Sequence, residues 1–293
     1  LAKIYYVKGK RKEALEILEE TTEQNMVFTQ KYFPRLSFSE KSKYWNQVKD
    51  EFEFFNFLCY TYKNERPELA AKMYNNTIAT KAILLSNSVK VKQRVLSSND
   101  STLISLYDEY VETKEFLTSS IGASKQQLQE QNIDIKALEI RVEVLEKELS
   151  ARSEVFAESQ RKAVTWKDVK DELSSNEYAV ELLRFRYFDK VFTDSVIYAG
   201  LIISEKTKDY PQLVVMPKGS FLEKKSLRYY RNCVLTNRED RLSYESFWQP
   251  VKNEIPDGAV VYISSEGVYN QINLEMLSKD GVYALDHNSF VSV

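Results

Sequence analysis

The sequence predicts a helical N-terminal region followed by an α/β region, an α plus α/β chain. Three observations carry this reading. Glycine and proline are scarce, at 7 and 6 among 293 residues, which favours long helices with short connections over an all-β fold. Up to about residue 164 the apolar residues recur at helical or heptad spacing. From Tyr178 onward the pattern changes to short β-branched and aromatic runs bounded by Asn, Asp, Pro or Gly, which read as strands. Helices placed between such strands imply a sheet covered by helices rather than a sandwich.

Leu1, Ile4 and Tyr5 share one helical face, Gly9 marks a turn, and Ala14, Leu15 and Leu18 share the next face. A second block spans residues 37 to 63. Ser37 or Ser39 caps it with Glu40 close behind, and Phe52, Phe54, Phe55, Phe57, Leu58 and Tyr60 cover most of its circumference. Cys59 reads there as a small buried hydrophobe. Pro67 opens a third helix that continues to about Arg94. Asp100 or Ser101 caps a fourth, with Leu103, Leu106, Tyr107 and Tyr110 at helical spacing, and Gly122 marks a break. From Leu128 to Phe156 a heptad pattern runs through Ile135, Leu138, Val142, Leu145 and Leu149. It predicts a helical arm folded back on the helix from Thr102.

Thr165 caps a short helix carrying Trp166, Val169 and Leu173. Strands are predicted at 178–185, 195–204 and 212–216, with Glu205 to Tyr210 as a hairpin turn. Helices follow at 222–235 and 244–255, and a further strand at 259–264. Gly267 stands where a tight turn needs positive φ. Leu274-Glu275-Met276-Leu277 has a helical look, and a last strand runs from Ser289 to Val293. The chain starts at Leu1 inside a helical pattern and stops inside a strand pattern, so both ends read as cuts from a longer protein.

Composition narrows function. With 43% hydrophobic residues a sizeable core can be buried, and the length suffices for two domains. The formal net charge is −2, from 41 basic and 43 acidic residues, and only short mixed clusters such as Lys218 to Arg231 occur. Direct nucleic-acid binding is therefore not expected. No apolar run reaches the roughly 18 residues of a membrane-spanning helix. Two distant cysteines, Cys59 and Cys233, argue against a disulfide framework or a paired-cysteine metal site. Acidic Glu143, Glu146 and Glu148 read as a solvated helix face. Ser264-Ser265-Glu266-Gly267 lacks the frame of a serine-nucleophile elbow or a phosphate loop.

Three motifs and a repeat-like start resemble one family, the CHAT domains, caspase-like cysteine peptidase domains that follow tetratricopeptide repeats. The helix pair at Gly9 is similar to part of one such repeat. Pro67-Glu68-Leu69-Ala70, then Tyr74-Asn75 and Lys81-Ala82-Ile83-Leu84-Leu85, resembles the family's linker, with Ala82 where the family often has Gly. Trp166, Val169, Leu173, Glu177 and Val180-Glu181, followed by Tyr198-Ala199-Gly200-Leu201-Ile202-Ile203, resembles the start of the peptidase domain. Val260 to Leu277 resembles its strand, turn and "I-P-F-E-x-L" signature, with Ser265-Glu266-Gly267 in place of "P-D-G".

The resemblance implies residues 1–122 as a tetratricopeptide-like end with a helical linker domain, 123–164 as the heptad-patterned helical arm, and 165–293 as the first part of a caspase-like α/β sheet domain. It also implies a cytoplasmic endopeptidase that needs no cofactor, its helical part binding a protein substrate or a regulatory protein. In the family a His and a Cys, each at the C-terminal end of a core strand, form the dyad, the imidazole taking the thiol proton. Neither context occurs here. His287 lies in a polar bend, and Cys233 and Cys59 lie on helices. No catalytic, cofactor or metal residue is therefore expected in this chain, which should be inactive by itself. The alternative is a non-catalytic helical adaptor.

Overall fold

The computed structural model describes residues 1–32, 36–84, 95, 98–121, 123–152 and 164–293. Gly122, Phe156 and the predicted continuation of the third helix from Leu85 to Arg94 lie outside the described residues. The stretches read above as 1–122, 123–164 and 165–293 are distributed over two compact units. One comprises Leu1–Thr22, Asp50–Ile78 and Val164–Val293, the other Glu23–Lys49 and Ala79–Ala163.

Helices α1 (Ala2–Val7) and α2 (Arg11–Tyr32) flank Gly9, whose φ of +78° makes the turn. Helix α3 (Phe38–Thr61) opens with a capping box at Ser37, the first of the two caps the sequence offers: Ser37 Oγ accepts from the Glu40 N–H at 3.2 Å and Glu40 accepts from the Ser37 N–H at 3.0 Å. Helix α4 (Leu69–Leu84) begins two residues after Pro67. Helices α2, α3 and α4 each contribute residues to both units.

In the first unit five strands form one mixed sheet. They are β1 (Glu177–Asp189), β2 (Val191–Ser204), β3 (Gln212–Met216), β4 (Val260–Ser264) and, numbered in chain order, β7 (Ser289–Ser292). The spatial order is β3-β2-β1-β4-β7. β1–β2 and β2–β3 are antiparallel, whereas β1–β4 and β4–β7 are parallel. The β5 (Ser278–Lys279) and β6 (Val282–Tyr283) strands form a separate small ribbon.

Period-two alternation along β1 and β2 loads both faces of the sheet. Leu183, Phe185, Ile197, Leu201 and Ile203 face one way. They form a core with Leu15, Leu18, Phe54, Phe55, Phe57, Met73 and Trp166 from the N-terminal helices and from α8 (Trp166–Glu172). Val180, Leu182, Tyr198 and Ile202 face the other way, against Leu222, Leu227, Phe247, Trp248 and Val251. Those residues come from a helix over 219–236 and another over 244–252. Each contains a π-helical turn, at Leu222–Ser226 and Tyr244–Trp248. The sheet is therefore covered by helices on both faces, as an α/β fold requires.

The β1–β2 hairpin runs further than the sequence suggests, because charged and polar residues at 186–195 hide the strand pattern. There Arg186 hydrogen-bonds Glu53 and Asp50 of α3, with its guanidinium 4.2 Å from the Phe192 ring centre. The helical reading of Leu274 to Leu277 is overturned. Residues 267–271 form a 3-10 helix instead, and the carbonyls of Glu275 and Leu277 accept from the Leu285 and Ala284 N–H groups at 3.1 and 2.8 Å. Leu274 and Leu277 are buried all the same, which explains why their spacing imitated a helix.

In the second unit Asp100 caps α5 (Ser101–Ile121), accepting from the Thr102 and Leu103 N–H groups at 3.0 and 3.2 Å. The heptad stretch is not one helix. It divides into α6 (Lys125–Glu130) and α7 (Ile135–Arg152) at a turn where Asn132 has φ +52°. Leu103 and Tyr107 of α5 cluster with Leu149 of α7, and Arg141 of α7 pairs with Glu109 of α5. The two helices are thus antiparallel, the expected folded-back arm. Among the described residues no helix is long and apolar enough to cross a membrane.

Candidate functional site

β1, β4 and β7 run parallel, so their carboxyl ends gather at one edge of the sheet, where open α/β sheets bind ligands. β4 ends at Ser264, level with Glu181 of β1, and β1 continues beyond it. The chain after β4 leans on this overhang. The Arg184 N–H donates to Glu266 at 3.0 Å, and Arg184 Nε donates to Glu223 at 2.5 Å. Opposite Arg184 in the β1–β2 register stands Tyr198. Its hydroxyl donates to Glu223 at 3.0 Å and accepts from the Val268 N–H at 3.0 Å.

Gly267, with φ +61°, completes this cluster. A Cβ there would meet Tyr198 Oη at 2.2 Å and Arg184 Cδ at 3.0 Å, so both conformation and space require glycine. Val268 and Tyr269 then drop into the core, and the Tyr269 hydroxyl donates to the Phe247 carbonyl at 2.9 Å.

The electrostatics are those of a brace. Burial first, and Glu223 next to it, push the Tyr198 phenol up to about 12. The hydrogen bond it donates to Glu223 holds the Arg184 guanidinium firmly charged. A phenol locked in its protonated form is no base at neutral pH. Ser264 is buried within β4, and the turn that carries Ser265 has no imidazole beside it. The arrangement fixes the turn and supplies no nucleophile.

His287 occupies the opposite end of β4. Its Nδ1 lies 3.2 Å from Asp257, which also pairs with Lys252 at 2.7 Å, and its carbonyl accepts from the Gly258 N–H at 2.7 Å. Lys252 above all, then His287, holds the Asp257 carboxyl below its usual range. This group anchors the start of β4 and β7. Cys233 is buried on the helix over 219–236, its Sγ 3.8 Å from the Glu239 carbonyl. Cys59 is buried in α3, its Sγ 3.9 Å from the Leu69 carbonyl, and burial pushes its thiol well up, the reverse of an activated thiolate. The structure brings neither cysteine to the histidine. Among the described residues no three His, Cys, Asp or Glu side chains are grouped to hold a metal.

Arg184, Tyr198 and Glu223 were not singled out by sequence. A signal was present in Leu182-Leu183-Arg184-Phe185-Arg186, where arginines alternate inside an apolar strand and each demands a partner. Comparison with protein-family models, with curated proteins and with solved structures finds no match.

Proposed function

We propose that this chain is part of a CHAT-type, caspase-like cysteine endopeptidase, a cytoplasmic protein whose N-terminal helices receive a protein substrate or regulator. One observation supports the reading above the others: β1, β4 and β7 lie side by side in parallel, with their carboxyl ends at one edge. A peptidase of that family carries its histidine and cysteine at such ends. Among the described residues the outer edge of β7 is unpaired, which leaves room for a further parallel strand. Gly267 and its brace keep the turn after β4 packed against the overhang of β1 and β2. The dyad would come from segments that these 293 residues do not include, because the sole histidine sits at the other end of β4.

The test is a thiol-reactive peptidyl probe applied to the protein expressed from its natural reading frame, followed by mapping of the labelled residue. Labelling of a cysteine other than Cys59 and Cys233, lost when that cysteine becomes alanine, is the expected result. No labelling, or labelling confined to Cys59 or Cys233, would overturn the peptidase reading and leave a non-catalytic adaptor.

A further inference from the structure

The mixed cluster between Lys218 and Arg231 takes on a definite form in the structure. Residues 218 to 242 contain seven Lys and Arg against three Asp and Glu, in a chain whose net charge is −2. The three acids are occupied. Glu223 holds Arg184 and Tyr198, Glu239 pairs with Arg241 at 2.6 Å, and Asp240 accepts from the Leu242 and Ser243 N–H groups. Lys224, Arg228 and Arg238 are exposed and have no acidic partner among the described residues.

The helix over 219–236 turns Leu222, Ser226, Leu227 and Cys233 inward. Phe221, Lys224, Lys225, Arg228, Arg231 and Leu235 are exposed and recur at three- and four-residue spacing along the outward side. The bases occupy the middle of this stripe. The ends are apolar, with Phe221 46% exposed and Leu235 82% exposed beside Val234 at 62%. At the rise of an α-helix these ends stand about 20 Å apart. At the C-terminal end Asn237 takes φ +50° as a cap, and the following loop folds back so that the Arg241 N–H donates to the Tyr229 hydroxyl at 3.2 Å. Arg238 therefore lies just beyond that end, in a loop whose Arg241 is paired with Glu239.

We propose that this outward stripe is a docking surface for an acidic segment of a partner protein, with carboxylates at its centre and apolar residues at its two ends. Charge complementarity selects an anionic occupant, and three features select a protein segment among anions. The aliphatic side chains of Val234 and Leu235 offer no stacking surface to bases. The Phe221 ring already carries Lys225 Nζ, 5.4 Å from its centre. The broad apolar side of the helix faces the core, whereas a helix lying in a membrane surface would turn that side to lipid. The inference does not depend on the peptidase reading.

Fluorescence anisotropy on the whole chain tests it. The probe is a labelled helical peptide of about 15 residues with glutamates in the centre and leucines at both ends, a length that matches the stripe. Its permuted counterpart, with the leucines central, serves as control beside a single-stranded oligonucleotide and phosphatidylserine-containing vesicles. Saturable binding of the first peptide is expected. Lys224→Glu with Arg228→Glu should weaken it by about tenfold or more, and Leu235→Ser by several-fold. All three positions are exposed, and unchanged thermal unfolding would show that the variants fold. Absence of binding, equal binding of the permuted peptide, indifference to both variants, or tighter binding of oligonucleotide or vesicles would each overturn the proposal.

Discussion

At the scale of single residues, Gly267 and Tyr198 depend on one another. Gly267→Ala adds a methyl group at an occupied place and at a φ that disfavours it, so a loss of at least about 2 kcal/mol is expected in urea unfolding. Tyr198→Phe strips the Val268 N–H of its acceptor within the core, a loss of about 1–3 kcal/mol. The same tyrosine shapes the alkaline limb of stability. Its phenol rises from an ordinary 10.0 to about 12 in the folded chain. The folded state therefore holds that proton more tightly. The contribution is complete below pH 10 and is lost as pH climbs towards 12. Unfolding measured from pH 9 to 12 should fall less steeply for Tyr198→Phe than for the natural chain. Gly267 could be read from sequence because glycine after an apolar strand has few other uses. Tyr198 could not, since a tyrosine in a β-branched run looks like ordinary core until its hydroxyl partners are known.

At the scale of elements, local signals were the legible ones. The caps at Ser37, Asp100 and Thr165 are short-range devices written in adjacent residues, and each is present. Thr165 and Asp168 form a reciprocal box, and the N–H of Trp166 is further held by Asn75 at 2.7 Å. Thr165→Ala should cost about 1 kcal/mol, seen as a lower thermal midpoint with unchanged circular dichroism at low temperature. The heptad from Leu128 was misleading because apolar spacing says nothing of a break between turns. Gln131, which interrupts the seam, was the sign of it, and the next residue has φ +52°. The far half of the β1–β2 hairpin is illegible in the sequence for a different reason. Its charged residues are paid for by partners more than a hundred positions away, such as Glu53 for Arg186.

At the scale of the whole chain, sequence order and spatial grouping diverge. The sheet and residues 1–22 and 50–78 share one compact unit. Residues 165 to 293 alone would expose Leu183, Phe185, Ile197, Leu201 and Ile203, all buried in the complete chain. That piece is expected to aggregate, or to unfold without a cooperative transition in calorimetry. A sharp reversible transition would contradict the role assigned to the N-terminal helices. Periodicity could announce that each segment has an apolar face, but which faces meet is a property of the folded chain.

The place of those helices in the sequence also bears on synthesis. Phe54, Phe55, Phe57 and Leu58 leave the ribosome long before Leu183 to Ile203, the strand residues they pack against. With translation at about 5–20 residues per second, the intervening stretch of roughly 125 residues takes on the order of ten seconds. During that interval the nascent chain displays an aromatic surface with no sheet to cover it. That waiting half-core is the surface through which incomplete chains would stick to one another, so aggregation during synthesis is set by the delay and not by the finished fold.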